Sequence, residues 1–264
     1  MVAVADSLYK EKNWSFSAKT YSAAFQKNEG KGNSIDRYNA ACSWALAGEK
    51  DSAFYHLFIL ANSTGYKNSK HIAQDSDLDG LRDDPRYAIF KEKVAQNKAS
   101  AEAKLDKHLV MQLDSIYKLD QSVRGQWREI NSKYGQDSPE MKAYFKRMAD
   151  ADSVNHNSVV AILEKYGWLG SDVVGEDGAT TIWLVVQHSD LAIQQKYLPG
   201  MRDAVKRGFA KGSQLALLED RILMYQNLPQ IYGSQFQCEP KCVFFPIKDI
   251  EGVDLRRAEV GLGP

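Results

Sequence analysis

Apolar residues recur at helical spacing along most of the chain. In the first hundred residues they form short paired stretches, separated by turn residues such as Asn13 and Gly48. From about residue 100 they return every three, four or seven positions, which is the period of one helix face. These longer helices are predicted to cover residues 100–134, 139–166, 178–201 and 213–226. After Gln226 the period fades, so we expect a mainly α fold that ends in an irregular, ordered tail.

The paired stretches near the N-terminus repeat one pattern. Tetratricopeptide repeats are helical hairpins of about 34 residues, with small residues where the two helices cross. Residues 5–27 fit one hairpin and residues 36–63 fit a second, with Ser17 and Ala53 at equivalent positions. The stretch YNAACSWALAGEKDSAFYHL closely resembles the tetratricopeptide family. We expect tetratricopeptide-like helical hairpins over residues 1–97, and the resemblance implies a peptide or protein partner in their groove.

Polar residues interrupt the apolar helix faces of residues 100–264, which we expect to form a second, helical domain. An unpaired polar group in a protein core costs roughly 1–3 kcal/mol, so helices that carry such groups need one another's side chains. The residues concerned are Asp152, Asn155, Gln187, His188, Asp190, Gln194, Asp220 and Arg221. They form either a ligand-binding or catalytic pocket, or a buried ion-pair lattice that only fixes the register of the helices.

His188 is the expected proton carrier of this group, because the pKa of imidazole lies near working pH. Asp190 and Asp220 are the other predicted catalytic residues. Asp190 lies on a different side of the same helix, so Asp220 or Asp152 is the better candidate to orient the imidazole ring. Arg221 can hold a carboxylate or a phosphate through two parallel hydrogen bonds.

The irregular tail is expected to close the same site. Adjacent helical residues diverge by about 100°, so Asp220 and Arg221 cannot both face His188. One should face the pocket, and the other should anchor the tail through Asp249 or Gln230. The predicted ligand-binding residues are Arg221, Asp152, Asn155, Gln187 and Gln194 from the helices, and Gln230, Tyr232 and Gln235 from the tail.

Metal and cofactor motifs are absent from the sequence. There is no H-E-x-x-H pair, no Walker loop and no Rossmann glycine pattern. The acidic run Asp75, Asp77 and Asp79 resembles a calcium loop, but the twelfth position counted from Asp75 is Arg86 instead of Glu. We therefore expect these acidic residues to cap helices, and we predict neither a metal nor a cofactor.

Composition and charge exclude several classes of protein. Lys and Arg number 34 and Asp and Glu number 34, so the net charge is zero and the electrostatic pattern of a nucleic-acid binder is missing. The apolar run 182–186 is far shorter than a membrane span. Taken as it stands, the sequence predicts a cytoplasmic protein, or an exported or periplasmic one if a signal peptide has been removed. Cys238 and Cys242 are either free thiols, a disulfide or half of a metal site.

Several short motifs carry a family resemblance from about Asp152 onward. They are Asp152-x-x-Asn155, Val186-Gln187-His188-x-Asp190, Leu218-x-Asp220-Arg221 and Pro229-Gln230-x-Tyr232-Gly233-Ser234-Gln235. With these motifs the region resembles a bacterial domain family of unknown function that often follows tetratricopeptide-like repeats. The upstream Asp120-Gln121-x-x-Arg124 is similar to the opening helix of that family. The resemblance covers roughly half of the chain and implies a site, but no established activity.

Two functions follow from these patterns. In the first, a helical polar pocket around His188 binds or acts on a small polar or anionic ligand, and the repeats serve as an interaction module. In the alternative, the chain is a non-catalytic, peptide-binding repeat scaffold whose polar network is structural. Neither pattern decides whether the protein is an enzyme.

Overall fold

A computed structural model describes residues 1–238 and 241–264 and is mainly α, as the sequence predicts. The chain divides into two compact units, Met1–Ala103 and Lys104–Pro264. Among the described residues, no helix is both long enough and apolar enough to cross a membrane.

The first unit is built from helices that pair with their neighbours in sequence. They are α1 (Val2–Lys10), α2 (Trp14–Lys27), α3 (Ser34–Leu46), α4 (Lys50–Ser63), α5 (Ser69–Gln74) and α6 (Pro85–Glu102), with a 3₁₀ turn at Ser76–Leu81 before α6. Helices α1 and α2 pack as one antiparallel hairpin, and α3 and α4 pack as a second. Where α1, α2 and α3 meet, the Ser17 hydroxyl lies 2.8 Å from the Ala5 carbonyl and 3.0 Å from the Ser43 hydroxyl. Small side chains at this crossing allow the helices to approach closely.

Polar residues begin the later helices of this unit. The Asn33 side chain accepts a hydrogen bond from the Asp36 amide at the start of α3, and the Asp84 carboxylate accepts one from the Arg86 amide at the start of α6. Asp75 accepts from the Asp77 amide and caps the 3₁₀ turn. Side-chain acceptors of this kind satisfy amides that the first helical turn leaves open.

Arg37 and His56 are polar side chains that are buried in contact with each other in the first unit. Each is 3% exposed. The Arg37 guanidinium lies 3.1 Å from His56 Nδ1. Burial, followed by the positive charge of Arg37, lowers the pKa of His56 from 6.5 to about 4. His56 is therefore a neutral imidazole in the folded protein at neutral pH.

The first unit should lose stability as the pH falls from about 6.5 to about 4. The unfolded chain takes up a proton at His56 in this window and the folded chain does not, so the free energy of unfolding should fall by roughly 2–3 kcal/mol. NMR titration of the imidazole should give a pKa near 4, and His56→Gln should flatten the pH dependence of unfolding. An imidazole that titrates near 6.5, or an unchanged pH profile in the variant, would contradict the assignment.

The second unit contains the longer helices. They are α7 (Lys107–Arg124), α8 (Trp127–Tyr134), α9 (Pro139–Tyr166), α10 (Ser171–His188), α11 (Leu191–Lys206) and α12 (Gly212–Tyr225), followed by strands β1 (Phe236–Cys238) and β2 (Cys242–Phe244), a 3₁₀ turn (Ile250–Gly252) and α13 (Val253–Glu259). Helix α10 packs against α7 and α9, and α11 packs against α12. Their shared core includes Leu113, Val159, Ile182 and Met201.

Two of the predicted long helices are wrong, because polar caps and glycine divide them. Residues 100–134 contain the end of α6 and two further helices. The Asp106 carboxylate accepts from two amides and starts α7, while near Gly125 the Gln126 amide bonds to the carbonyl three residues back, on Val123, and α7 ends. Residues 178–201 also belong to two helices, since Asp190 accepts from the Ile193 amide and starts α11.

Helix α10 also begins earlier than its apolar pattern predicts. It starts at Ser171 and is interrupted at Gly175, whose φ of 74° lies in the left-handed region that glycine adopts easily. The chain changes direction at Gly175. After this kink the helix continues to His188, and several of its residues are buried in the core.

Within the described residues, the C-terminal tail holds two short strands. β1 and β2 form an antiparallel hairpin, and a disulfide joins Cys238 to Cys242. Of the three states that the sequence leaves open for these cysteines, the structure has the disulfide. The short helix α13 has no counterpart in the sequence prediction.

Candidate functional site

His188 ends α10 against a buried carboxylate from α7. Its Nδ1 lies 3.1 Å from Oδ1 of Asp120, which is 1% exposed. A carboxylate only accepts hydrogen bonds, so Nδ1 carries the proton and Nε2 is left to accept or donate one. Burial acts to raise the pKa of Asp120, but the hydrogen bond from His188 and the charge of Arg124 outweigh it and hold the pKa below its usual range. Asp120 is therefore an ionised acceptor that orients the imidazole.

Arg124 extends this pair into a chain of four charged or ionisable groups. Its guanidinium binds Asp120 Oδ1 at 2.9 Å and Asp152 Oδ1, on α9, at 2.8 Å. Helices α7, α9 and α10 thus meet through one line of side chains, His188–Asp120–Arg124–Asp152. We call this line the polar chain.

An open cleft begins at Arg124. It measures about 490 Å³ and is lined by Arg124, Gly125, Trp127, Arg128 and Tyr144. Arg128 is exposed and forms no hydrogen bond or ion pair with the described residues. The cleft therefore combines two guanidinium groups with two aromatic rings.

Three buried side-chain amides lie on α9, α10 and α11. Asn155 on α9, Gln187 on α10 and Gln194 on α11 are each at most 3% exposed. Gln194 Nε2 donates to the carbonyls of Gln187 and Ser189, at 3.0 and 2.9 Å. Both amide atoms of Asn155 and the side-chain oxygens of the two glutamines have no partner among the described residues. An unsatisfied buried group costs about 1–3 kcal/mol, so these atoms mark places where water or a ligand is favoured.

Asp220 has a different role from the predicted catalytic one. It is fully buried, and its carboxylate accepts hydrogen bonds from the backbone amides of Ile231, Tyr232 and Ser234 at 2.7 to 3.2 Å. The structure assigns the orientation of His188 to Asp120 instead. Asp220 anchors the tail, but it does so through backbone amides rather than through Asp249 or Gln230.

Asp190 is also separate from the polar chain. It is exposed, and its carboxylate caps α11 by accepting from the Ile193 amide at 3.0 Å. The sequence places Asp190 on the same helix as His188, but α10 ends at His188 and Asp190 caps the next helix, α11. Its proposed catalytic role has no support in this geometry.

Gln230 and Tyr232, which the sequence predicts as ligand-binding residues, form hydrogen bonds within the C-terminal tail. Gln230 is buried and donates from Nε2 to the carbonyls of Gln235 and Phe245, each at 2.9 Å. The Tyr232 carbonyl accepts from Arg257 at 2.7 Å. Gln230 and Tyr232 are thus placed as parts of the tail, and their contacts show no direct link to the polar chain.

Arg221 connects the tail to α10. Its Nε donates to Gln235 Oε1 at 3.0 Å, and its Nη1 donates to the Gln187 carbonyl at 2.9 Å. Burial, with a further contribution from the charge of Arg124, lowers the pKa of Arg221. Arg221 therefore binds the backbone of Gln187, the residue that precedes His188.

Arg221→Ala should destabilise the protein far more than Arg147→Ala, in which an exposed arginine of α9 is removed. Loss of two hydrogen bonds from a charged donor should cost about 2–3 kcal/mol, which lowers Tm by roughly 5–10 °C. Differential scanning calorimetry of the two variants measures the difference. Equal Tm values would show that the Arg221 contacts are energetically unimportant.

Sequence reasoning missed the central pair of the site. The sequence places Asp120 and Arg124 as partners one helical turn apart and in the family's opening helix, but it does not assign them to the site. Trp127 and Arg128 fall inside a helix predicted to be continuous. The spacing of Asp120 and Arg124, one helical turn apart beside an apolar stripe, was the available signal.

Comparisons with known proteins cover the second unit. Residues 107–264, which begin at the first residue of α7, match a family model described as a family of unknown function (DUF6624). No curated protein and no solved structure matches the chain.

Proposed function

The chain belongs to the DUF6624 family of unknown function, and we propose that its second unit binds a small anionic ligand in the cleft beside the polar chain. One observation carries the proposal. Arg124 belongs at once to the polar chain and to the wall of the open cleft. A ligand that contacts Arg124 would therefore be coupled to His188 through Asp120.

The lining of the cleft favours an anion attached to a planar group. A guanidinium presents donors in a planar fork that matches carboxylate and phosphate oxygens. Arg124 already holds two carboxylates, so Arg128 is the guanidinium that remains for the ligand. Trp127 and Tyr144 offer ring surfaces on which a planar group can stack.

The His188–Asp120 pair adds the chemistry of proton transfer. An imidazole oriented through Nδ1 by a carboxylate presents Nε2 as a general base or, once protonated, as a general acid. His188 has a side-chain exposure of 19%, so its imidazole is open to solvent beside the polar chain. We propose that a ligand bound through Arg128 is coupled to proton transfer at His188 through Arg124 and Asp120.

A metabolite-binding screen on the full chain tests this function. Wild type should retain carboxylates or phosphates, and Arg128→Ala should weaken their binding at least about tenfold. His188→Ala should bind the same ligands but abolish any turnover. Arg202→Ala, which removes an exposed arginine of α11, is the matched control and should bind like wild type. Equal binding by wild type and Arg128→Ala would overturn the proposal.

A repeat scaffold is the second candidate function, and it concerns the first unit. The small-residue crossing at Ser17 and Ser43, between the α1–α2 and α3–α4 hairpins, supports tetratricopeptide-like packing. We propose a peptide or protein partner for these hairpins. Hydrogen exchange on the full chain with a peptide library should then protect α1 and α3 and leave the Arg128 cleft unchanged. Protection confined to the second unit would remove this candidate.

A further inference from the structure

The first unit contains a cleft of about 470 Å³, within the size range of small-molecule sites. Helices α2, α3 and α4 form it. The lining residues that matter here are Phe25, Arg37, Trp44, Ser52, Tyr55 and His56. It lies outside residues 107–264, so the family match says nothing about it.

A buried cation forms one wall of this cleft. Arg37 is 3% exposed, and its guanidinium carbon lies 3.9 Å from the centre of the Phe25 ring. It donates to the Gly30 carbonyl and to His56 Nδ1. Within the described part of the chain, Arg37 forms no ion pair with a carboxylate. Its charge is therefore buried without a counter-charge.

Arg86 is another arginine of this unit that lies over an aromatic ring, although its side chain is 38% exposed. Its guanidinium carbon lies 4.3 Å from the centre of the Phe54 ring, as Arg37 lies over Phe25. Arg86, however, is paired with Asp51 at 2.7 Å and with Asp84 at 2.8 Å. A buried charge without a partner is costly, so the contrast with Arg86 points to a counter-ion that comes from outside the chain.

The hydrogen bonds around Arg37 also leave a donor at the cleft. Arg37 only donates, so His56 accepts at Nδ1 and carries its proton on Nε2, which faces the Ser22 hydroxyl at 3.4 Å. Trp44 Nε1 donates to the same hydroxyl oxygen at 3.1 Å. Because that oxygen receives two donors, the Ser22 hydroxyl proton remains to be donated to another acceptor.

We propose that this cleft binds a monocarboxylate carried on an aromatic or other planar group. The carboxylate pairs with Arg37 and the planar group packs against Trp44 and Tyr55. A monoanion fits better than a dianion, because Arg37 is the one cationic side chain among the described lining residues and the exposed Asp51 lies at the cleft. This site is separate from the one proposed for the second unit.

Calorimetric titration of the full chain with phenylacetate and with its neutral match, phenylacetamide, tests the proposal. Phenylacetate should bind at least about tenfold more tightly. The imidazole NMR signals of His56 should shift on binding, since the carboxylate sits beside its arginine partner.

Substitutions locate the site. Arg37→Met should weaken phenylacetate binding at least about tenfold. Ser52→Glu should do the same by placing a negative charge in the cleft, and it suits the first turn of α4, where an acidic residue is favourable. Arg82→Met, which removes an arginine paired with Asp79, is the control and should bind like wild type.

Three results would overturn this site. They are equal affinity for the acid and the amide, no binding of either compound at millimolar concentration, and unchanged binding by Ser52→Glu. If Arg37→Met does not fold, the comparison of acid with amide on wild type and the Ser52→Glu variant still decide the matter.

Discussion

Asp220→Ala should lower the free energy of unfolding of the second unit by about 3–5 kcal/mol. The carboxylate is fully buried and accepts from the amides of Ile231, Tyr232 and Ser234. Alanine leaves these three donors without an acceptor and leaves a space in the core. The tail should therefore detach before the helices unfold.

Urea unfolding and hydrogen exchange measure the two parts of this expectation. In Asp220→Ala the amides of residues 231–234 should exchange much faster than in wild type, while α7 and α9 should keep their protection. Asp203→Ala is the matched control, because that carboxylate of α11 is 63% exposed and, among the residues that the structure describes, pairs only with Arg207. It should cost less than about 1 kcal/mol. A loss in Asp220→Ala as small as in the control would show that the tail does not depend on this anchor.

The helical period identified the inner faces of the second unit without any structure. Asn155, Gln187 and Gln194 interrupt the apolar faces of their helices, which predicts that they face inward, and all three are buried. The period works here because a helix that packs against others must bury one face, whatever the residues on it are. Asp220 and Arg221 were found by the same reasoning.

The helical period does not predict which polar side chains form hydrogen bonds with one another. His188 is oriented by Asp120, a residue 68 positions earlier on another helix. That pairing depends on how α7 packs against α10, and local spacing carries no information on it. For the same reason the sequence predicts Asp220 or Asp152 as the partner of His188, although α12 turns Asp220 toward the backbone of the tail.

The helix boundaries predicted from the sequence are wrong where an apolar stripe continues across a helix cap. Asp106 and Asp190 both start helices by accepting from amides two or three residues ahead. Aspartate is a preferred residue at this position, so the signal was in the sequence. The stripe outweighed it because apolar residues on either side of the break happen to keep the helical spacing.

Asp120→Asn should remove about 3–5 kcal/mol of stability at pH 7, since it breaks a buried ion pair and strands part of the charge of Arg124. Asp114→Asn is the matched control on the same helix. That residue also pairs one turn ahead, with Lys118 at 2.6 Å, but its side chain is 54% exposed, so it should cost less than about 1 kcal/mol.

The pH dependence of this loss identifies its electrostatic origin. The folded state holds the pKa of Asp120 below its usual range, so the carboxylate stabilises the fold fully above the unfolded pKa of about 3.9. That stabilisation disappears as the pH falls through the lower, folded pKa. The difference in unfolding free energy between wild type and Asp120→Asn should therefore be constant from pH 7 to about 5 and shrink below about 4. A difference that does not change with pH would mean that packing, and not the charge on Asp120, holds His188 and Arg124 in place.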